Sequence, residues 1–331
     1  MLINNQTEID SNNIFYKIKD FFGFKNLNIK LEGLNIAGSI KIKAAIYLID
    51  NLEKNYNISP SKNTIIESSS GNLGIALSIV CKSKGYKFIC VIDPNIPPLS
   101  RKLMEVYGAE IMQVTKKDKS GGYLSTRIEL IEKLLEDNKN IVWTNQYSSK
   151  VNTFAHYNTT AKEILREIKT VDYLFIGAGT TGTLTGCAQY FKEYSSNTKI
   201  IAVDAKGSVT FGYPPSARYI PGLGTSKKPG ICSTDNIFDI LLVEETDTIR
   251  MCHYLLKKYC LFLGGSSGTI LEAVRRYANK INQNLTVVAI SPDFGDKYLD
   301  TVYNYEWIKN KYGIDFMQEV EDESKLFNYY S

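Results

Sequence analysis

Short apolar runs alternate with longer helical patterns between residue 63 and residue 290 of this chain. This alternation is typical of βα units that build a parallel sheet, and it constrains the fold more than any other feature of the sequence. The predicted strands are 64–66, 87–92, 110–114, 141–143, 173–176, 199–204 and 285–290. The predicted helices are near 73–84, 100–107, 123–137, 154–168, 246–259 and 269–282, with one more after residue 183.

The length favours two domains rather than one. A chain of 331 residues is too long for one small core, since domains usually hold about 100–200 residues. The first series of units ends at the strand 141–143 and a second series begins with the helix 154–168. We therefore expect a larger domain that brackets a smaller one, with a cleft between them.

The composition excludes several classes of protein. Hydrophobic residues are 44% and charged residues 22%, values typical of folded globular chains. The 39 basic and 35 acidic residues are mixed along the chain, so we expect no nucleic-acid partner. Six cysteines without a CxxC pair, and only two histidines, predict reduced thiols and no metal site.

No targeting or membrane segment is predicted. The N-terminus lacks a basic start followed by an apolar run, and no stretch approaches the roughly 18 apolar residues of a membrane span. We therefore expect a cytoplasmic protein.

Four glycine- or serine-rich segments fall where we place the end of a strand and the beginning of a helix. In open α/β sheets, ligands bind on that side. One such segment alone is no more than a tight turn in about half of cases, but four together predict a ligand cleft. A loop rich in glycine and proline, 205–228, is also expected to line it. The four segments are SSSGN (68–72), GAGTTGT (177–183), GGSSGT (264–269) and SPDFGD (291–296).

The segment GAGTTGT has the properties of a phosphate site. Glycines let the backbone approach an anion closely, and three threonines add hydroxyl donors. The segment lacks the lysine of an ATP-binding loop and the GxGxxG spacing of a dinucleotide site. A small phosphorylated cofactor is the occupant that this pattern favours.

Several segments resemble the fold-type II family of pyridoxal-5′-phosphate (PLP) enzymes, which includes cysteine synthase and cystathionine β-synthase. NIAGSIKIKAA (35–45) resembles the segment in which the cofactor lysine opens a helix. SSSGNLGIAL resembles the substrate-carboxylate loop, GAGTTGTLTG the phosphate loop and GGSSGT the segment whose serine meets the pyridine nitrogen. NQYSS (145–149) is similar to the family's asparagine-glutamine stretch at the cleft. The resemblance covers roughly residues 32–300.

The resemblance implies a fold class, a division into domains and a set of site residues. It implies two doubly wound α/β domains with PLP between them: a larger cofactor-binding domain (1–44 and 151–331) and a smaller mobile substrate-binding domain (45–150). A homodimer and the absence of a metal are also implied. Lys41 is the implied catalytic residue. The implied cofactor-binding residues are Lys41, Asn72, Gly179, Thr180, Thr181, Gly182, Thr183 and Ser266. The implied substrate-binding residues are Ser69, Ser70, Asn72, Arg127, Gln146, Tyr147 and Arg218.

The implied activity is β-replacement on an activated serine such as O-phosphoserine, through an α-aminoacrylate, with an amino acid such as L-glutamate as nucleophile. GGYLSTRI (121–128) and VDAKGS (203–208) lie outside the general cofactor motifs and are similar to a branch of the family that serves siderophore biosynthesis. The alternatives are a cysteine synthase, a cysteine-consuming enzyme that releases sulfide, and a binding protein without activity.

Some of these residues also have a purely structural interpretation. Arg127 can be a solvated helix residue, Tyr147 a packed core residue and Arg218 a surface residue. His156 is expected to be structural. Two positions depart from the family: Lys43 stands where an arginine is frequent, and Gly179 where the siderophore branch has a serine.

Overall fold

The computed structural model describes Asn5 and residues 13–118 and 122–316. Most of the N-terminal segment, where no targeting sequence is predicted, lies outside the described residues. In the part that is described, no helix is long and apolar enough to cross a bilayer. The same residues include no group of three or more His, Cys, Asp or Glu side chains placed to hold a metal ion.

The larger of two sheets has six strands in the order β1-β2-β10-β7-β8-β9. All neighbouring strands are parallel except β1 and β2, which pair antiparallel at one edge. A parallel sheet covered on both faces requires continuous apolar strands, as in YLFIG of β7. The strands are β1 (Phe15–Ile18), β2 (Asn26–Leu31), β7 (Tyr173–Gly177), β8 (Lys199–Ala205), β9 (Asp239–Val243) and β10 (Thr286–Ser291).

The smaller sheet has four strands in the order β5-β4-β3-β6, and all of its neighbouring strands are parallel. Its two central strands, β3 and β4, are almost wholly buried. The strands are β3 (Thr64–Ser68), β4 (Lys87–Ile92), β5 (Glu110–Gln113) and β6 (Ile141–Trp143).

Helices cover both faces of each sheet. The described helices are α1 (Lys41–Tyr56), α2 (Asn72–Lys84), α3 (Pro98–Val106), α4 (Leu124–Asp137), α5 (Lys150–His156), α6 (Lys162–Glu167), α7 (Gly182–Tyr194), α8 (Glu245–Tyr259), α9 (Gly265–Tyr277) and α10 (Tyr305–Tyr312). On the larger sheet, α8 and α9 pack on one face and α6 and α7 on the other. On the smaller sheet, α2 and α4 lie on opposite faces. The predicted fold class of two doubly wound α/β units is confirmed.

The helix that begins with Lys41 packs with the smaller sheet. Ile42, Ala45 and Ile49 of α1 share one apolar cluster with α2 and the strands β3 and β4. The predicted domain boundary after residue 44 therefore falls inside a continuous helix. The division into 1–44 with 151–331 and 45–150 stays a prediction.

Some predicted elements need correction. The segment GGSSGT does not follow a strand: it follows α8 and a short loop, in which Leu263 makes only an isolated bridge to Phe294. The helix predicted at 154–168 begins at Lys150 and contains a π-helical turn, Tyr157–Ala161. The strands β1, β2 and β9 and the helix α10 were not predicted.

Candidate active site

A cavity opens where the carboxyl ends of β3, β7 and β10 meet. All four glycine- or serine-rich segments contribute to its wall, and residues 221–225 confirm that the long loop after β8 lines the cleft. Arg218 does not line this cavity; its Nη1 donates to the carbonyl oxygen of Leu223, within the same loop, at 3.1 Å. The predicted site residues that do line it are Lys41, Ser69, Ser70, Asn72, Arg127, Gln146, Tyr147, Gly179, Thr180, Thr181, Gly182, Thr183 and Ser266.

A tight turn closed by Asn35 presents Lys41 to the cavity. The Asn35 amide nitrogen donates to the carbonyl oxygens of Glu32 at 2.8 Å and Ser39 at 3.0 Å, and its oxygen accepts from the Ala37 N–H at 3.0 Å. Gly38 supplies the positive φ of 60° that the turn requires. Lys41 is the first residue of α1 as a result, and its side chain points back from the helix N-terminus.

Burial lowers the pKa of the Lys41 amine below its ordinary value, while the carboxylates of Asp293 and Glu32 oppose that shift. A lowered pKa increases the fraction of neutral amine at neutral pH. Neutral amine is the form that attacks a carbonyl and accepts a proton. The electrostatics of the cavity therefore suit Lys41 to both tasks.

Lys43 belongs to a buried ion network and not to the cavity wall. Its Nζ lies 2.8 Å from Glu32 and 2.7 Å from Glu163, and Lys30 lies 2.8 Å from Glu163. Burial favours a higher pKa for Glu32, but Lys43 and Lys30 together lower that pKa to about 2. The departure from the family at this position thus concerns packing behind Lys41.

His156 lies beside this network and is buried. Its Nδ1 is 3.1 Å from the Thr160 hydroxyl. Burial, together with the charges of Lys41 and Lys43, lowers the pKa of His156 to about 3. The imidazole stays neutral at physiological pH, in keeping with the structural role that we expect for it.

The loop between β7 and the N-terminus of α7 forms an anion cradle. The first N–H groups of a helix have no intrahelical partner and favour negative charge. Thr181 precedes α7 with a φ of 66°, and its buried hydroxyl has no hydrogen-bond partner among the described residues. A Cβ at Gly179 would lie 2.8 Å from the Gly222 oxygen, so glycine is needed where the two loops meet.

On the opposite wall, Ser70, Asp93 and Arg127 form a compact polar group. The Ser70 hydroxyl donates to Asp93 Oδ2 at 2.8 Å and accepts from Arg127 Nη1 at 3.0 Å. It also accepts from the Asp93 N–H at 3.1 Å, so its hydrogen-bonding capacity is used within the protein. Arg127 Nη1 lies 3.4 Å from Asp93, whereas its buried Nε has no partner among the described residues. Arg127 is a buried cation facing the cavity, not a solvated helix residue.

Glu67, at the end of β3, was not predicted and joins two loops of this wall. Its carboxylate accepts from the Ser68 N–H at 2.7 Å, Trp143 Nε1 at 3.1 Å, the Thr144 hydroxyl at 2.5 Å and the Gln146 N–H at 3.1 Å. Burial raises the pKa of Glu67 although these four donors lower it. Glu67 thus fixes the backbone of Gln146 beside the serine-rich loop.

Asp93 and Asp293 were likewise not predicted as site residues. Asp93 directly follows β4 and Asp293 lies two residues after the end of β10, at the edge where the cavity lies. Acidic residues at the carboxyl ends of parallel strands are the sequence signal that could have identified both residues, together with Glu67.

Comparisons with known proteins agree with this geometry. A family model described as pyridoxal-phosphate dependent enzyme matches residues 15–293. The N-(2-amino-2-carboxyethyl)-L-glutamate synthase of Ralstonia nicotianae is 42% identical over 280 residues, which cover 84% of this chain and 82% of that protein. A protein of the same name from Cupriavidus metallidurans is 37% identical over 314 residues, covering 93% and 92%.

Solved structures show the same architecture. The O-acetylserine-dependent cystathionine β-synthase of Helicobacter pylori has a TM-score of 0.85 at 29% identity, covering 92% of this chain and all of that one. A hydrogen sulfide-producing enzyme from Fusobacterium nucleatum has a TM-score of 0.83 at 32% identity, covering 90% of this chain and all of that one.

Proposed function

This chain belongs to the pyridoxal-phosphate-dependent enzyme family, and on that premise we propose that it joins the amino group of L-glutamate to the β-carbon of an activated serine, with O-phosphoserine as the first candidate donor. The observation that carries the proposal is the convergence of three groups on one cavity: the Lys41 amine, the anion cradle before α7 and the buried Arg127 guanidinium. The names of the two relatives supply the acceptor.

The cavity residues fit the cofactor. PLP needs an amine, a phosphate site and contacts for its ring. Lys41 would supply the amine, the N-terminus of α7 with the unpartnered Thr181 hydroxyl would hold the phosphate, and the buried Ser266 would meet the ring nitrogen. When bound, PLP supplies an electron sink that lets the α-proton and the β-substituent of the donor leave.

Lys41 carries the proton transfers in this proposal. Its neutral amine removes the proton from Cα of the donor, and the Cβ–O bond breaks with its electron pair leaving on the phosphate. The lone pair of the glutamate nitrogen forms the new Cβ–N bond, that nitrogen loses a proton, and Lys41 returns a proton to Cα. One donor and one glutamate thus give one secondary amine product and one phosphate.

The wall opposite the anion cradle binds both substrates in this proposal. We assign the donor carboxylate to the serine-rich loop with Asn72 and Gln146, where Ser69 shapes the loop by accepting from the Gly74 N–H at 3.0 Å. Ser70 positions Arg127 by accepting a hydrogen bond from it. We assign Arg127 and Tyr147 to a carboxylate of the glutamate acceptor. Arg127 is preferred to Arg218 for this role because it lines the cavity.

The family resemblance also supports a homodimer working in the cytoplasm, in a siderophore pathway rather than in sulfur metabolism. Sedimentation of the purified protein would test the dimer, which a single species at the monomer mass would contradict.

Identification of the products tests the proposed reaction. The purified protein with PLP is incubated with O-phosphoserine, O-acetylserine or cysteine as donor, and glutamate or sulfide as acceptor. Mass spectrometry should detect the glutamate adduct with stoichiometric phosphate release from O-phosphoserine. The solved structure of a hydrogen sulfide-producing enzyme at 32% identity makes sulfur chemistry the second candidate. Sulfide release from cysteine, with no glutamate adduct from any donor, would replace our proposal with that one.

A further inference from the structure

Asp293 lies where three cavity-lining segments meet. The backbone of Asp293 forms an isolated β-bridge with Ser39, and the neighbouring Pro292 oxygen accepts from the Ile40 N–H at 2.9 Å. Asp293 therefore lies beside the turn that presents Lys41. The Asp293 carbonyl oxygen accepts from the Gly264 N–H at 3.1 Å, at the start of the segment that carries Ser266.

The Asp293 side chain reaches the third segment. Its Oδ2 accepts from Asn72 Nδ2 at 2.7 Å and from the Tyr298 hydroxyl at 2.6 Å. Asn72 begins α2 on the smaller sheet, whereas Asp293 follows β10 of the larger one, so this hydrogen bond crosses the cleft. The carboxylate is 1% exposed, and a Cβ at Gly264 would lie 2.0 Å from Oδ1. Gly264 is therefore needed to seat it.

Several ionisable groups surround this carboxylate. Lys297 Nζ lies 4.0 Å from Oδ2 and donates to the Gly38 oxygen at 2.8 Å, which ties it to the lysine turn. Glu32 and Asp293 are the two carboxylates whose charges act on Lys41. Burial raises the pKa of Asp293, while the charge of Lys297, the hydrogen bonds from Tyr298 and Asn72 and the charge of Lys41 oppose that shift. The Asp293 charge also acts on Tyr298, Cys252 and Tyr303.

We propose that Asp293 is a positioning residue, which orients the Asn72 amide across the cleft and carries a buried negative charge that acts on the cofactor lysine. The inference rests on the proposed attachment of the cofactor at Lys41, and it is independent of which amino acid serves as acceptor. Without the Asp293 charge, burial would lower the pKa of the Lys41 amine with less opposition.

The test is a pH titration of the absorbance of the bound cofactor, without substrates. Asp293→Asn keeps the size of the side chain and an oxygen acceptor but removes the charge. Since a nearby anion favours the protonated form of a cation, the midpoint of the titration should fall by about one pH unit in this variant. Asp293→Ser removes the same charge with a smaller side chain and should shift the midpoint in the same direction, even if the Asn variant does not fold.

Asp204→Asn is the matched control, because Asp204 is also fully buried but is not among the charges that act on Lys41. Its midpoint should equal that of the parent protein. The Asn72→Ala and Asp293→Asn changes should also lower kcat by less in combination than the product of their separate effects, because one acts through the other. An unmoved midpoint in both Asp293 variants, or independent effects of Asn72 and Asp293 on kcat, would overturn the proposal. A shifted midpoint in the Asp293 variants, together with no glutamate adduct from the parent protein, would count against the proposed reaction alone.

Discussion

At the scale of the residue, the function depends on a few side chains whose surroundings set their properties. Lys41 is one of 39 basic residues, and composition alone cannot select it. Lys41 was assigned because the segment around it, a small-residue turn followed by a helix, resembles the cofactor-lysine segment of the family. The structure adds the reason: Asn35 closes the turn, and burial lowers the pKa of the amine. Arg127 and Arg218 could not be told apart from the sequence, since only burial and contacts show that Arg127 lines the cavity and that Arg218 does not.

Lys41→Ala should keep the fold and lose covalent attachment of the cofactor. A positioned acid or base contributes about 10²–10⁴-fold to rate, so turnover should fall by at least about 10³-fold when the same group also holds the cofactor. Borohydride reduction followed by peptide mass spectrometry should find the cofactor on Lys41 in the parent protein. Lys43→Ala is the control, and it should retain the labelled Lys41 peptide. A borohydride-stable adduct elsewhere in the Lys41→Ala protein would show that the assignment is wrong.

At the scale of the element, the site is built from the loops that follow parallel strands. Because the carboxyl ends of β3, β7 and β10 meet at one place, short segments distant in sequence line one cavity. Polar side chains then fix the loops to one another. Asn152 of α5 donates to the backbone oxygen of Gln146 at 3.0 Å and to the Thr180 hydroxyl at 3.1 Å, which joins the loop that carries Gln146 to the anion cradle.

The anion cradle predicts a loss of cofactor affinity when its hydroxyls are removed. Thr181→Val combined with Thr183→Val deletes two donors at nearly constant volume. Hydrogen bonds to charged groups contribute roughly 1.5–3 kcal/mol each, so the Kd for PLP should rise by about 100-fold or more. Equilibrium dialysis measures it directly. Thr159→Val, which removes a hydroxyl that donates to the Ala155 oxygen outside the cavity, should leave the Kd unchanged. An unchanged Kd in the double variant would remove this loop from the phosphate site.

At the scale of the whole molecule, the sequence predicts the two α/β units and most strands of their sheets, because buried parallel strands have a strong apolar signal. It does not predict β2, whose Lys30 is buried beside Glu163, since no local pattern reveals a partner 133 positions away. The π-helical turn after α5 and the helix-to-helix entry into GGSSGT also depend on tertiary packing. The cavity follows from the sheet order. The positions of Asp293 and Glu67 near strand ends are visible in the sequence, but their hydrogen-bond partners are visible only in the structure.

The central claim is that one cavity first activates a serine-derived donor and then delivers its β-carbon to the amine of glutamate. Stopped-flow absorbance of the bound cofactor tests it most directly. Mixing with O-phosphoserine alone should change the spectrum within one turnover and release one phosphate per active site. Adding glutamate should then restore the starting spectrum at a rate that rises with its concentration, while sulfide at equal concentration restores it more slowly. If cysteine changes the spectrum fastest and glutamate never speeds its recovery, the account is contradicted.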